Sequence, residues 1–259
     1  MKIFNLNVIT LVTLAMWILS SCHKNDKKEN PQPSTDATIN FEFQAVGDLD
    51  YETLKLGQVY STSKGDSVTF DFLNWWVSDI TFTAEDGSEW NEAKNYRLLR
   101  RDDKKERETF SVNIPAGKYK SVRFTVGVDS NHNASLDSLV GELSPTVGMS
   151  WTWQTGYIFL KTEGTFYNSD SMAYTPFQYH IGTNANYKIV TIDFPVATDV
   201  NGGSSYELHI LLHALNLFTD PNAMDLKTYP YLLVGPPAQT AKVAENYSQA
   251  FSLHHFEEL

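Results

Sequence analysis

The chain has 259 residues, of which 42% are hydrophobic and 20% charged. That is enough apolar material for one large domain or two small ones around a substantial core. The formal net charge is -11. Nucleic-acid binding depends on Lys and Arg neutralising phosphate, so that class of partner is excluded.

The N-terminus comes first in chain order and decides the compartment. Lys2 supplies a positive start, and Val8 to Leu19 form an apolar run of 12 residues. This is a secretory signal, shorter than the roughly 20 apolar residues a spanning helix needs. Its end, Leu19-Ser20-Ser21-Cys22, resembles a bacterial lipobox, in which the cysteine is lipidated and becomes the new N-terminus. Residues 1–21 are therefore read as a lipoprotein signal peptide and Cys22 as the lipidation site. The expected location is the cell envelope, anchored by lipid on a periplasmic face or at the cell surface. Cys22 is the one cysteine, so no disulfide or cysteine metal site remains, and a transition-metal site has to use other ligands. Residues 22–37 are polar, carry two prolines and read as a flexible tether.

From residue 38 to 259 the pattern predicts one domain. Val68, Phe70 and Phe72 alternate with polar residues, as do Ile80 and Phe82. Val122, Phe124, Val126 and Val128 follow the same period, and so do Val190, Ile192, Phe194 and Val196. Each run predicts a half-buried strand. Turn signals lie at Glu85-Asp86-Gly87, Pro115-Ala116-Gly117 and Val200-Asn201-Gly202-Gly203. The last joins 188–196 to 205–215 as a hairpin or a longer two-strand connection. Helix is expected only in short pieces, for instance 131–143. The predicted fold is all-β: an antiparallel β-sandwich with long loops.

Histidines carry the candidate chemistry. His209 and His213 would share a helix face, but Glu is absent after His209, so the zinc-protease motif fails. On a strand they share a face about 13 Å apart, at roughly 3.3 Å per residue. One ion cannot take both, and each reads first as a structural or surface histidine. His180 sits in T-P-F-Q-Y-H-I-G-T, its neighbours alternating away from it. His132 lies in G-V-D-S-N-H-N-A-S-L-D, a loop whose Asp129, Asn131, Asn133 and Asp137 suggest calcium. The comparison with an EF-hand fails, because Ala134 and Val140 stand where the turn glycine and bidentate glutamate belong. Hydrolase chemistry has no support: G-x-S-x-G is absent, and the cysteine is spent on lipid. Glu257-Glu258 lie at an end expected to fray. The chain is read as a binding protein and not an enzyme.

Taken together, F-T-V-G-V-D-S-N-H-N (124–133), G-M-S-W-T-W-Q-T-G-Y-I-F-L-K-T-E-G (148–164) and F-Q-Y-H-I-G (177–182) resemble the MbnP-type copper-binding proteins. N-W-W-V-S-D-I-T-F-T-A-E-D-G (74–87) and N-Y-S-Q-A-F-S-L (246–253) fit the same layout. The resemblance covers about residues 38–259. It implies a copper-binding β-sandwich, in copper acquisition or handling. It also implies a dihaem, peroxidase-like partner that oxidises a tryptophan to kynurenine, which joins histidines at the metal. By this resemblance His132 and His180 match the family's histidine steps, although Ser130 departs from the apolar residue common there. Trp151 and Trp153 match its Trp-x-Trp segment and are the candidates for oxidation. His209 stands where the family has acidic or apolar residues and enters only as a further metal candidate.

On a strand, Trp151 and Trp153 would share a face about 6.6 Å apart. An unmodified indole N–H is only a donor and binds copper poorly. A second reading is a metal-free surface lipoprotein that holds a glycan or a protein partner. Its motive is the 13% aromatic content, with Trp75, Trp76 and Trp90 as an exposed platform.

Overall fold

Alternating strands bury one face each, and the computed structural model shows two sheets packed through those faces. It describes residues 36–47, 51–101, 108–136 and 140–259. The expected signal peptide, Cys22 and nearly all of the expected tether lie outside the described residues.

The chain opens with β1 (Asp36–Val46), two residues before the expected domain start. There follow β2 (Tyr60–Ser61), β3 (Ser67–Ala84), β4 (Glu89–Asn91), β5 (Tyr96–Arg101), β6 (Glu108–Pro115) and β7 (Gly117–Val126). After the short helix α1 (Ser130–Asn133) come β8 (Ile158–Asn168), β9 (Ala173–Gly182), β10 (Lys188–Val200) and β11 (Ser205–His213). The chain closes with α2 (Asn216–Thr219), β12 (Tyr231–Leu232), α3 (Pro237–Gln249) and β13 (Phe251–Glu258). Among the described residues no helix is long and apolar enough to cross a membrane.

The smaller sheet runs β13-β11-β1-β6 and the larger β10-β7-β3-β8-β9-β12, with β2, β4 and β5 also paired to β3. The all-β sandwich is as the alternation predicts. Most pairs are antiparallel, but β1 and β11 pair in parallel from Thr38↔Ser205 to Val46↔His213. A parallel pair needs a long crossover, and here most of the chain lies between the two strands. The connection after β10 does not make a hairpin. β10 pairs with β7 and β11 with β1, so the Asn201-Gly202-Gly203 turn carries the chain from one sheet to the other.

Between the sheets, Phe41, Phe43, Phe82, Phe124 and Phe251 interlock. Phe43 meets Phe124 at 5.4 Å and Phe124 meets Phe251 at 5.2 Å, both edge to face, a preferred aromatic geometry. Helix differs from expectation in place. Among the described residues of 131–143 the helix is the last part of α1, and a 3-10 turn follows beyond the stretch at Pro145–Val147. Among the described residues the longest helix is α3, which buries Thr240, Val243, Ala244 and Tyr247 at helical spacing. The C-terminal end does not fray: Glu257 and Glu258 lie on β13, paired with Glu207 and Tyr206.

β3 is the spine, 18 residues long. β8 flanks its first part, from Val68 to Trp75, and β7 its second, from Val77 to Ala84. Between them, at Trp76, the chain leaves the sheet. Gly127 N–H bonds Trp76 O at 3.1 Å, and Gly127 has φ 127° with Phe159 where a Cβ would stand. The excursion from 127 to 157 folds over this point. It builds a second apolar cluster from Trp76, Tyr96, Leu98, Leu143, Met149, Trp151 and Tyr157.

The seam between β3 and β8 leaves no room for a side chain at Gly164, whose Cβ would lie 2.0 Å from Thr69 O. Gly164→Ala is expected to lower stability by about 1–3 kcal/mol through strand displacement, read as an earlier denaturant midpoint with unchanged slope.

Candidate metal site

His132 is placed by its own helix start. Asp129 caps α1, its Oδ1 accepting from Asn131 N at 3.0 Å and His132 N at 3.4 Å. Its Oδ2 lies 2.9 Å from His132 Nδ1 and 3.4 Å from Lys94 Nζ, and it accepts the Tyr96 hydroxyl. Tyr96 Oη is itself 2.9 Å from His132 Nδ1, and the two rings are 5.2 Å apart. Burial alone would raise the Asp129 pKa, but bonds from Tyr96 and His132 and the Lys94 charge lower it to about 2. An ionised Asp129 only accepts, so the proton sits on His132 Nδ1 and the Nε2 lone pair stays open.

His180 repeats the arrangement on the outer face of β9. Its Nε2 is 2.7 Å from Glu163 Oε1 on neighbouring β8. Burial is the main influence on its pKa and lowers it, outweighing Glu163. Glu163 is held below the usual carboxylate range: burial pushes it up, and the His180 bond and the Lys161 charge more than offset that. The neutral imidazole donates through Nε2 and leaves Nδ1 open.

The tryptophans do not lie on a strand. The chain from 151 to 156 is loop, and the expected common face does not exist. Trp151 is 4% exposed and Trp153 64%. Trp151 packs against the end of β9, where a Cβ on Gly182 would meet its ring at 2.3 Å. Gly182 is two residues beyond His180 and so shares its face. The Trp151 indole N–H is buried with no hydrogen-bond partner, an unfavourable arrangement for a polar group. The exposed aromatic platform also fails in part: Trp75 and Trp76 are buried at 1% and 0% exposure.

The second cluster links these pieces. Tyr96 supports His132, and Trp151 joins the cluster to the end of β9 near His180. Asn133 fastens α1 across the gap: it accepts from Tyr157 N at 2.6 Å and donates to Asn184 Oδ1 at 2.8 Å. The two histidines bond different carboxylates, and no hydrogen bond joins them. His209 stands apart, on β11 in the smaller sheet, 3.6 Å from Glu42. Beside it are His254 and His255, to which the sequence assigned no role. The ring centroids of His209 lie 4.7 Å from His254 and 5.2 Å from His255. A His-His pair in a strand was the available signal, but regular alternation would point its members apart. Asp129 entered the sequence reading as a calcium candidate, and Tyr96 had no signal at all.

Each of the two histidines separately offers a nitrogen of the kind copper takes. Two imidazoles each have one nitrogen held by a carboxylate and the other open, the pattern that orients metal-bound histidine, and copper accepts imidazole well. A family model described as MbnP matches residues 34–234. Among solved structures, the chain is similar in fold to MbnP from Methylosinus trichosporium, with a TM-score of 0.54 and 14% identity, over 79% of this chain and 86% of that one. No curated protein matches the sequence.

Asn133 is the local test of how this region is held. Asn133→Ala leaves the Tyr157 N–H buried without its acceptor, and the expected loss is about 1–3 kcal/mol. Hydrogen exchange should show faster opening of 129–136 and 154–158 than of β3.

Proposed function

Because this chain belongs to the MbnP family, we propose that it is an extracytoplasmic copper-binding protein with His132 and His180 as imidazole ligands. The observation that carries the reading is the repeated histidine–carboxylate pair, His132 with Asp129 and His180 with Glu163. Each carboxylate fixes the tautomer and aims the open nitrogen. A metal needs the neutral form of an imidazole. The burial that depresses the His180 pKa therefore favours ligation.

Trp151 is the tryptophan we assign to oxidation. It lies on the His180 face, whereas Trp153 points to solvent. Ring-opened kynurenine would offer an aryl amine and a carbonyl in place of an N–H without a partner. A dihaem, peroxidase-like protein is the proposed partner for that oxidation. The chain's own part is binding and not catalysis. Lipid attachment at Cys22, after the Leu19-Ser20-Ser21 signal end, would hold it in the cell envelope. Bound copper would supply a redox-active centre, available for acquisition or handling of the metal.

Purified protein from native cells should take up about one copper(I) per chain at this site. His132→Ala combined with His180→Ala should weaken uptake by at least about 100-fold. Full retention of copper by that variant would overturn the assignment. Mass spectrometry of the peptide spanning 151–153 should place an oxidised ring at Trp151, and an unmodified peptide would remove kynurenine from the site.

A further inference from the structure

The outer face of the smaller sheet carries a second concentration of metal-binding chemistry. β11 and β13 pair with His209 opposite His255 and Ile210 opposite Leu253, so His254 is an extra residue in a bulge. A bulge sets two residues against one and re-aims a side chain. Here it turns both His254 and His255 outward, while Leu253 and Phe256 on either side pack against the core. A regular strand would have sent one histidine into the phenylalanine core.

The consequence is three imidazoles from two strands on one spot. One nitrogen from each of His209, His254 and His255 lies within 4.8 Å of the others. Glu42, Glu207 and His209 form an overlapping group at the same limit. His254 Nδ1 and His255 Nδ1 are 2.7 Å apart, and His255 Nε2 is 2.8 Å from Glu207 Oε1. His209 is 2% exposed, so the cluster has a buried floor and an open rim. His213, four residues along β11, instead bonds Ser252 at 2.8 Å.

We propose that His209, His254 and His255 form a second metal site, independent of His132 and His180, for a divalent transition cation such as zinc(II) or copper(II). Imidazole nitrogens bind such an ion at about 2.0–2.1 Å, so ligands sharing it sit about 3.3 Å apart in a tetrahedron. Rotation of the exposed His254 brings its nitrogen to that spacing. Glu207 or Glu42 supplies the fourth ligand, and the two carboxylates balance the dication. Mixed imidazole and carboxylate ligands select this class of metal over calcium or magnesium. His254 and His255 lie beyond residue 234, where the family match ends, so the site is a property of this chain's C-terminal strand.

The full chain titrated with zinc(II) tests this. Zinc(II) is redox-silent, so the titration is read directly by calorimetry. The expected result is about one zinc(II) per chain, retained by the His132→Ala, His180→Ala variant. His254→Ala, at an exposed position, should weaken zinc(II) by more than about 100-fold while leaving thermal unfolding of the metal-free chain unchanged, and His255→Ala should weaken zinc(II) as much. Wild-type affinity in both variants would overturn the proposal, as would absence of zinc(II) binding by the parent chain. Loss of zinc(II) in the His132→Ala, His180→Ala variant would also overturn it, by assigning the ion to the other site. Copper(I) uptake, measured in the His254→Ala and His255→Ala variants, reports on the first site.

Discussion

The edge of β3 changes partner at Trp76, and most of what is distinctive in this fold follows from that change. β8 covers the strand up to Trp75 and β7 from Val77 onward. A chain passing from one neighbour to the other has to leave the sheet between them. It does so at Gly127, where a positive φ and the close Phe159 ring exclude a side chain. The excursion then has an apolar surface to cover, because Trp76 faces away from the main core. Trp151, Met149 and Leu143 settle on it, and α1 is carried to Tyr96 in the same movement. His132 is thus positioned by a packing demand of the sheet, whereas His180 stands on β9 itself.

Carboxylates recur beside histidines throughout the molecule. Asp129 holds His132, Glu163 holds His180 and Glu207 holds His255. In each case the acid orients one nitrogen and leaves the ring's other nitrogen for a further partner. The net charge of -11 is therefore partly organised around imidazoles. Two such sites on opposite sheets would give the protein metal sites of different character. One lies on the larger-sheet side with the loop that carries Trp151, and the other stands on a strand face of the smaller sheet.

The Trp-x-Trp segment shows how far a motif reading extends. Its place in the order of segments was sound, and the family match covers it. Its geometry was misread, because strand spacing was applied to residues that are loop. The two rings consequently have opposite surroundings: one is pressed on Gly182 and the other is in solvent. Identical residues two apart can serve different ends once the backbone ceases to alternate.

The sequence by itself determined the all-β class, the main strands and the core residues, because period-two alternation is a local property that survives without a partner. Strand rise alone also sets His209 and His213 too far apart to share one ion. The spacing of Thr240, Val243, Ala244 and Tyr247 carries the helical period of α3. Tertiary structure alone decided the parallel pairing of β1 with β11, since register between distant strands has no local signature. It alone joined Tyr96 to Asp129 and His132, and separated Trp151 from Trp153. It alone brought His254 and His255 to His209, because a bulge reverses the alternation from which a sequence reading infers direction.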